Sequence, residues 1–232
     1  MVQQFSLNAG LKCFGERGTA VITKELKQFH NMETYIPVDG IFSPRNAMAV
    51  SKHESVQQEE TWPEYYKKEN ASPTATNESV FITAAIDAYE GYDVAYMDIP
   101  GAYLHTHTPS DKEIIMLMKG KLAKMIVLVD PKLYRKYIIR DNKSTPILYV
   151  KMNKALYGLL QSALLWYKKL TDVLKSFGFE INPYDPCVAN KTIDGKQLTI
   201  CWHVDDLFIG HVNHPTVVTS FLDWLAQRYD TT

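Results

Sequence analysis

The sequence predicts an α+β fold in which helices pack on one face of an antiparallel, ferredoxin-like sheet. Apolar residues recur at helical spacing in three stretches, and short apolar runs of strand length lie between these stretches. Asp194-Gly195 separates two such runs and is a strong signal for an antiparallel hairpin. Helices separated by hairpins, in this order along the chain, are typical of an α+β domain.

The pattern becomes clear from Thr76 onward. Apolar residues then recur with a helical period until Gly91, which suits the end of a helix. The stretch 93–99 predicts a strand, and Pro100-Gly101 ends it.

The remaining elements follow from the same two periodicities. Residues 122–129 fit a helix or a strand equally well. A second helix is predicted over 162–177 because its apolar residues form one face and Gly178 follows it. A last helix begins near Pro215. The further strands are predicted at 113–118, 147–152, 188–193, 196–203 and 207–210.

The first 70 residues show little periodicity, and the polar run 51–60 predicts a loop. We therefore divide the chain into a poorly patterned N-terminal segment, 1–71, and a folded core, 72–232. No internal repeat is visible, which excludes repeat architectures.

The formal charge of −1 on 232 residues conceals a strong segregation. Residues 1–110 carry 8 basic and 14 acidic groups, 111–175 carry 14 and 5, and 176–232 carry 3 and 7, which gives −6, +9 and −4. The middle segment could attract phosphates. It could equally be a solvated face of lysines, and charge alone leaves both interpretations open.

Composition excludes several classes of protein. With 46% hydrophobic residues the chain is globular rather than disordered. Cys13, Cys187 and Cys201 have unrelated spacings, so they predict neither a disulfide framework nor a zinc site. His105 and His107 could suggest zinc, but without a cysteine pair nearby we expect them to be exposed to solvent. No signal peptide or apolar span is visible, so we expect a soluble intracellular protein.

Three carboxylates stand at the ends of apolar strands. Asp205 and Asp206 lie between two apolar runs, and Asp98 ends the strand that precedes Pro100. A solvated turn would explain the acidic pair, but such a turn does not need apolar flanks. If the strands are neighbours, the three acids meet at one edge, where oxygen ligands suit two Mg²⁺ or Mn²⁺ ions.

Four sequence blocks carry a family resemblance: Asp98-Ile-Pro-Gly-Ala-Tyr-Leu, Ala155-Leu-Tyr-Gly-Leu-Leu-Gln-Ser162 with Trp166-Tyr167, Tyr184-Asp-Pro-Cys187 and His203-Val-Asp-Asp206. In this order and spacing they resemble the reverse transcriptase of copia-type LTR retrotransposons, over about residues 72–229. The resemblance implies a polymerase palm for 72–232, a partial fingers segment for 1–71 and a thumb that is largely missing. A fragment of a Pol polyprotein would fit this extent.

The resemblance also implies roles for individual residues. Asp98, Asp205 and Asp206 match the metal-binding catalytic acids, and the backbone carbonyl of Ile99 would be a further metal ligand. The remaining matches are a steric gate against ribose at Tyr103, contacts with the incoming nucleotide at Gln161, and template and primer contacts at Tyr157, Gly158, Lys168 and Lys169. Core packing for Tyr103 and a polar helix start for Gln161 are the simpler alternatives.

The function implied by the resemblance is RNA-directed DNA synthesis. An RNA or DNA template with its primer and deoxynucleoside triphosphates would be the partners, together with other domains of a Pol polyprotein and no membrane. The cytoplasm, within a virus-like particle, or the nucleus would be the location. The stretch 45–69 has few basic residues where relatives have a basic fingers hairpin. A catalytically inactive relic that folds or binds nucleic acid is therefore the alternative, and an unrelated two-metal phosphoesterase is a weaker one.

Overall fold

A computed structural model describes residues 7–40, 47–48, 71–110, 113–159, 161–212 and 214–229. Over these ranges helices combine with largely antiparallel sheets, which confirms the predicted α+β class. None of the described helices is long and apolar enough to cross a membrane. A loop was predicted for 51–60 and a shortened fingers segment for 45–69. Apart from Ala47 and Met48, both stretches lie outside the described residues.

In chain order the helices and strands are α1 (Leu7–Asn31), β1 (Tyr35–Val38), β2 (Ala47–Met48), α2 (Asn77–Glu90), β3 (Asp93–Asp98), β4 (Ile115–Lys119), α3 (Lys121–Val129), α4 (Pro131–Tyr134), β5 (Ile139–Arg140), β6 (Pro146–Met152), α5 (Ser162–Ser176), β7 (Glu180–Ile181), β8 (Val188–Ile193), β9 (Lys196–His203), β10 (Asp206–His211) and α6 (Thr219–Tyr229). Short 3₁₀ turns cover Ala102–His105 and Arg135–Tyr137, and a π turn at His214–Val218 leads into α6.

The chain forms two compact units. Unit 1 combines residues 1–66 with 107–162, and unit 2 combines 67–106 with 163–232. This division does not follow the boundary predicted at residue 71. The reason is that β1 pairs with β6, Tyr35 opposite Met152, so the N-terminal segment shares a sheet with residues far along the chain.

Unit 1 contains a five-stranded sheet in the order β1-β6-β4-β2, with β5 also beside β6. Its core is built from side chains of α1, the sheet, α3 and α4, and Ile126, Tyr134, Leu148 and Val150 are fully buried. The ambiguous segment 122–129 is the helix α3. Helix α1 was not predicted. Leu26 is its one buried residue, and only Ile22 and Phe29, which are partly buried, join it against this core, so the apolar stripe is short and confined to the C-terminal part of the helix.

Unit 2 contains the antiparallel sheet β3-β10-β9-β8-β7. The hairpin predicted at Asp194-Gly195 is confirmed, and both residues have positive φ, +51° and +75°, as a type I′ turn requires. Helix α2 begins after Thr76, whose hydroxyl accepts a hydrogen bond from Ser79 N, and ends at Gly91, with φ +67°. These termini agree with the sequence prediction.

The prediction that helices cover one face of the sheet is wrong, because unit 2 has helices on both faces. Asp98, Tyr96, Phe208 and Gly210 point to one side, which we call the acid face. Helix α2 lies on this face, where Asp87 approaches Gly210 so closely that a Cβ at this position would clash with the carboxylate. Helix α5 lies on the opposite side, the core face, where Tyr167 stacks on Trp202.

The burial pattern of strand β9 agrees with helices on both faces of the sheet. Residues 198–202 are all buried, so neither alternate set of side chains faces solvent. The side of helix α2 that faces the sheet carries the polar residues Ser79, Thr83 and Asp87, whereas the apolar Phe81 is 73% exposed. A cleft of about 320 Å³ remains between α2 and strands β8 and β9.

Candidate metal centre

The three predicted acids meet at the end of the pair formed by β3 and β10. Asp206 lies directly opposite Asp98 in the register, and Asp205 precedes it in the turn from β9. One carboxylate oxygen from each of the three residues lies within 4.8 Å of the others. Among the described residues this is the one group of three or more His, Cys, Asp or Glu side chains close enough to share an ion.

The turn that carries Asp205 has unusual backbone geometry. His203 pairs with Asp206, so Val204 and Asp205 alone form the loop between β9 and β10. Val204 has φ +58°, in the left-handed region that β-branched residues rarely adopt. Such a conformation costs on the order of 1–3 kcal/mol and persists only where the surroundings enforce it.

Two hydrogen bonds hold this turn from outside the hairpin. The indole Nε1 of Trp166, on α5, donates to the carbonyl oxygen of Val204 at 2.7 Å. The backbone N–H of Ile99 donates to the carbonyl oxygen of Asp205 at 3.1 Å. Trp166 is 1% exposed, so its contact with the turn is shielded from water.

The electrostatics of the cluster favour a cation. Desolvation and the charges of Asp205 and Asp206 raise the pKa of Asp98, although its side chain is exposed. Tyr96 donates a hydrogen bond to Asp206, and this bond with the neighbouring acids raises the pKa of Tyr96 to about 12. The donor set consists of oxygens alone, which fits Mg²⁺ or Mn²⁺ rather than zinc.

Ile99 and Tyr103 lie in the same unit as the acids. Ile99 follows Asp98 directly and is fully buried. Gly101, with φ +64°, turns the chain into the 3₁₀ segment that contains Tyr103. Tyr103 is 8% exposed, and burial together with the charge of Asp205 raises its pKa. The core-packing interpretation of Tyr103 is therefore correct as far as burial goes, and it does not exclude a second role.

Tyr157, Gly158 and Gln161 belong to unit 1, so they are not in the unit that carries the acids. The loop that contains them is closed by the Ser162 hydroxyl, which donates to the carbonyl oxygen of Leu156 at 2.7 Å and accepts from its N–H at 3.1 Å. Gly158 has φ +94°, and Tyr157 is 59% exposed at this turn. The chain therefore turns at Tyr157 and Gly158.

Lys168 and Lys169 are exposed on α5, which covers the core face. The acids project from the acid face, so the structure does not bring these two lysines together with the carboxylates. Cys201 is buried, and burial raises the pKa of its thiol to about 11.

The expectation for the histidines holds for one residue. His107 is exposed, and its backbone forms an isolated antiparallel β-bridge with Lys154. His105, by contrast, is half-buried, because it packs against Trp166 and Tyr229 and makes a 3.3 Å hydrogen bond to the carbonyl oxygen of Pro100.

Sequence reasoning missed the roles of three residues, of which two contact the site and one ties helix α2 to the chain before β8. Trp166 anchors the turn, Tyr96 binds Asp206, and Asp185 accepts hydrogen bonds from Thr76 N and Cys187 N at 3.0 and 2.8 Å. Trp166 and Asp185 lie in or beside blocks that carry the family resemblance, which was the available signal. Tyr96 gave no signal, because an aromatic residue in a strand is ordinary.

Comparisons with known proteins agree with this geometry. A family model described as reverse transcriptase (RNA-dependent DNA polymerase) matches residues 46–232. The chain is 26% identical over 162 residues, 69% of its length, to the retrovirus-related Pol polyprotein from transposon RE1 of Arabidopsis thaliana. It is 26% identical over 139 residues, 60% of its length, to that from transposon TNT 1-94 of Nicotiana tabacum.

The matches cover 10% and 9% of these two relatives, so the chain spans about a tenth of their length. The reverse transcriptase family model matches most of the chain, including all four sequence blocks that carry the family resemblance. The predicted copia-type resemblance is thereby confirmed. The chain belongs to the reverse transcriptase (RNA-dependent DNA polymerase) family.

Proposed function

We propose that this chain is the catalytic part of an RNA-directed DNA polymerase, with unit 2 as its palm and parts of unit 1 as fingers. The observation that carries the proposal is the cluster of Asp98, Asp205 and Asp206, whose oxygens lie within 4.8 Å of one another at a strand edge. Family membership supports the reaction class, since reverse transcriptases generally use divalent metal ions.

The proposed chemistry needs few protein groups. Asp98, Asp205 and Asp206, with the carbonyl oxygen of Ile99, would hold two Mg²⁺ or Mn²⁺ ions. Such ions supply Lewis acidity to the primer 3′-hydroxyl and to the leaving pyrophosphate when bound. By placing these ions, the acids would align the attacking oxygen with the α-phosphate, so positioning and charge neutralisation would carry the rate enhancement. No side chain of this cluster would act as a nucleophile.

Substrate selection is assigned to residues near the acids and in unit 1. Tyr103 would exclude a ribose 2′-hydroxyl, because a buried aromatic ring cannot move aside easily. Gln161 would contact the incoming nucleotide, and the exposed turn of Tyr157 and Gly158 would approach the template base pair. The substrates would be deoxynucleoside triphosphates and a primed RNA or DNA template.

The decisive experiment is primer extension on an RNA template with Mg²⁺ and deoxynucleoside triphosphates. We expect extension by the wild-type chain and a loss of at least about 1,000-fold in Asp205→Asn, because a metal ligand is removed. Asp172→Asn is the matched control, since Asp172 is an exposed acid on α5 and should leave the rate unchanged.

Three other outcomes would contradict the proposal. Duplex binding without extension, equal in wild type and Asp205→Asn, would identify a catalytically inactive relic. Hydrolysis of nucleotides without templated synthesis would identify a two-metal phosphoesterase. Extension that survives Asp205→Asn would remove the acid cluster from the mechanism.

A further inference from the structure

The indole of Trp166 lies behind the turn that carries Asp205. Its Nε1 donates a 2.7 Å hydrogen bond to the carbonyl oxygen of Val204, and the side chain is almost fully buried. The indole has one N–H donor, and this donor is directed at a backbone atom of the loop between β9 and β10. The hydrogen bond therefore acts on the conformation of the turn.

The bond fixes one of the two peptide groups beside Asp205. The Val204 carbonyl belongs to the peptide that enters Asp205, and the Asp205 carbonyl belongs to the peptide that leaves it. Trp166 holds the first plane, while Ile99 N, at 3.1 Å, holds the second. Because peptide groups are planar, these two planes determine φ and ψ of Asp205 and hence the direction of its side chain.

Val204 makes such restraint necessary. With φ +58° its β-branched side chain disfavours the turn, so the loop would relax without external support. Relaxation toward negative φ would rotate the peptide between Val204 and Asp205 and so change the direction of the Asp205 side chain.

The Trp166 ring is itself held firmly. Tyr229 packs edge-on against it with ring centroids 5.3 Å apart, and His105 lies 6.4 Å away on the same cluster. His105 also bonds the carbonyl oxygen of Pro100, in the segment that follows Asp98. One aromatic cluster thus contacts the backbone beside both halves of the metal centre.

We propose that Trp166 is a positioning residue for the metal centre, holding the Val204 carbonyl so that the Asp205 carboxylate meets those of Asp98 and Asp206. This inference rests on the proposed function only in assuming that the three acids bind a divalent cation. Trp166 touches neither the cation nor the substrate.

Mn²⁺ binding by the full chain, followed by electron paramagnetic resonance, tests the inference. Trp166→Phe keeps an aromatic ring and removes the donor, and we expect its Mn²⁺ affinity to be about 10-fold weaker than that of wild type. Trp202→Phe is the matched control, because Trp202 is equally buried and stacks on Tyr167. We expect Mn²⁺ binding by this control to equal that of wild type.

Equal Mn²⁺ affinity in wild type and Trp166→Phe would overturn the inference, as would equal weakening in both tryptophan variants. If the wild-type chain binds no Mn²⁺, the proposed function itself fails. If Mn²⁺ binding depends on Trp166 but no primer is extended, the positioning role holds and the polymerase activity does not.

A second measurement needs no substitution, and it applies if Trp166→Phe does not fold. In the wild-type chain, Mg²⁺ should shift the indole N–H resonance of Trp166 and slow its exchange with solvent, while that of Trp202 stays unchanged. An indole signal of Trp166 that is indifferent to saturating Mg²⁺ would contradict the positioning role.

Discussion

At the scale of single residues, the acid cluster places like charges close together. Desolvation and the charges of Asp205 and Asp206 raise the pKa of Asp98, so the folded protein binds a proton there more tightly than the unfolded chain does. The stability of the metal-free protein should therefore rise as the pH falls through this pKa. Repulsion among carboxylates that are arranged for a bound cation thus lowers the stability of the metal-free protein.

Asp98→Asn removes one of the repelling charges. We expect a higher melting temperature than wild type in EDTA at neutral pH, and a smaller rise on adding Mg²⁺, because a ligand is also removed. Thermal unfolding with and without Mg²⁺ measures both effects, with Asp172→Asn as the control on an exposed helix surface. A lower melting temperature of Asp98→Asn in EDTA would show that repulsion does not dominate this cluster.

At the scale of elements, Asp185 joins the start of α2 to the chain between β7 and β8. It is 3% exposed and accepts hydrogen bonds from Thr76 N, the Thr76 hydroxyl and Cys187 N at 3.0, 3.2 and 2.8 Å. Burial alone would raise the pKa of Asp185, but these bonds and one from Ser79 outweigh it, so the pKa is lowered. The carboxylate is therefore a structural link.

Asp185→Asn should destabilise unit 2 by on the order of 2 kcal/mol at neutral pH, because an amide cannot accept from all of these donors. The stabilisation by the ionised wild-type residue is present above an unfolded pKa of about 4 and is lost as pH falls through the lower folded value. Urea unfolding at neutral and acidic pH should show a difference that shrinks below about pH 4. A difference independent of pH would refute the ionic role.

The elements also show how far the sequence alone could lead. Local signals located α2, α5 and the hairpin of β8 and β9 correctly, because Thr76, Gly91 and Asp194-Gly195 act through their own backbone preferences. The pairing of β1 with β6 could not be predicted, since Tyr35 and Met152 are far apart along the chain. The same applies to Trp166, whose hydrogen bond to Val204 requires the assembled sheet.

At the scale of the whole molecule, the charge segregation seen along the sequence changes when residues are grouped by unit. Unit 1 has 17 basic and 12 acidic residues, a balance of +5, whereas unit 2 has 8 and 14, a balance of −6. The acid cluster accounts for half of the negative balance of unit 2. We therefore expect unit 1 to attract a polyanionic substrate more strongly than unit 2 does.

The salt dependence of duplex binding should follow this division. Lys121 and Lys124 are exposed on α3 of unit 1. Reversing both to Glu should weaken binding of a primer–template duplex and lower the salt slope by up to about 2, because each phosphate that is no longer neutralised reduces the slope by about 0.9. Binding titrations over a range of salt concentrations, without Mg²⁺, isolate the contribution of the protein.

Lys168→Glu with Lys169→Glu is the control pair, matched in charge and helical setting. These residues lie on the helix that covers the core face, away from the acids, so we expect the salt slope to change less than for the α3 pair. A larger decrease in slope for the α5 pair would mean that the duplex contacts the far side of unit 2. The template and primer role that the sequence predicts for Lys168 and Lys169 would then be the correct one.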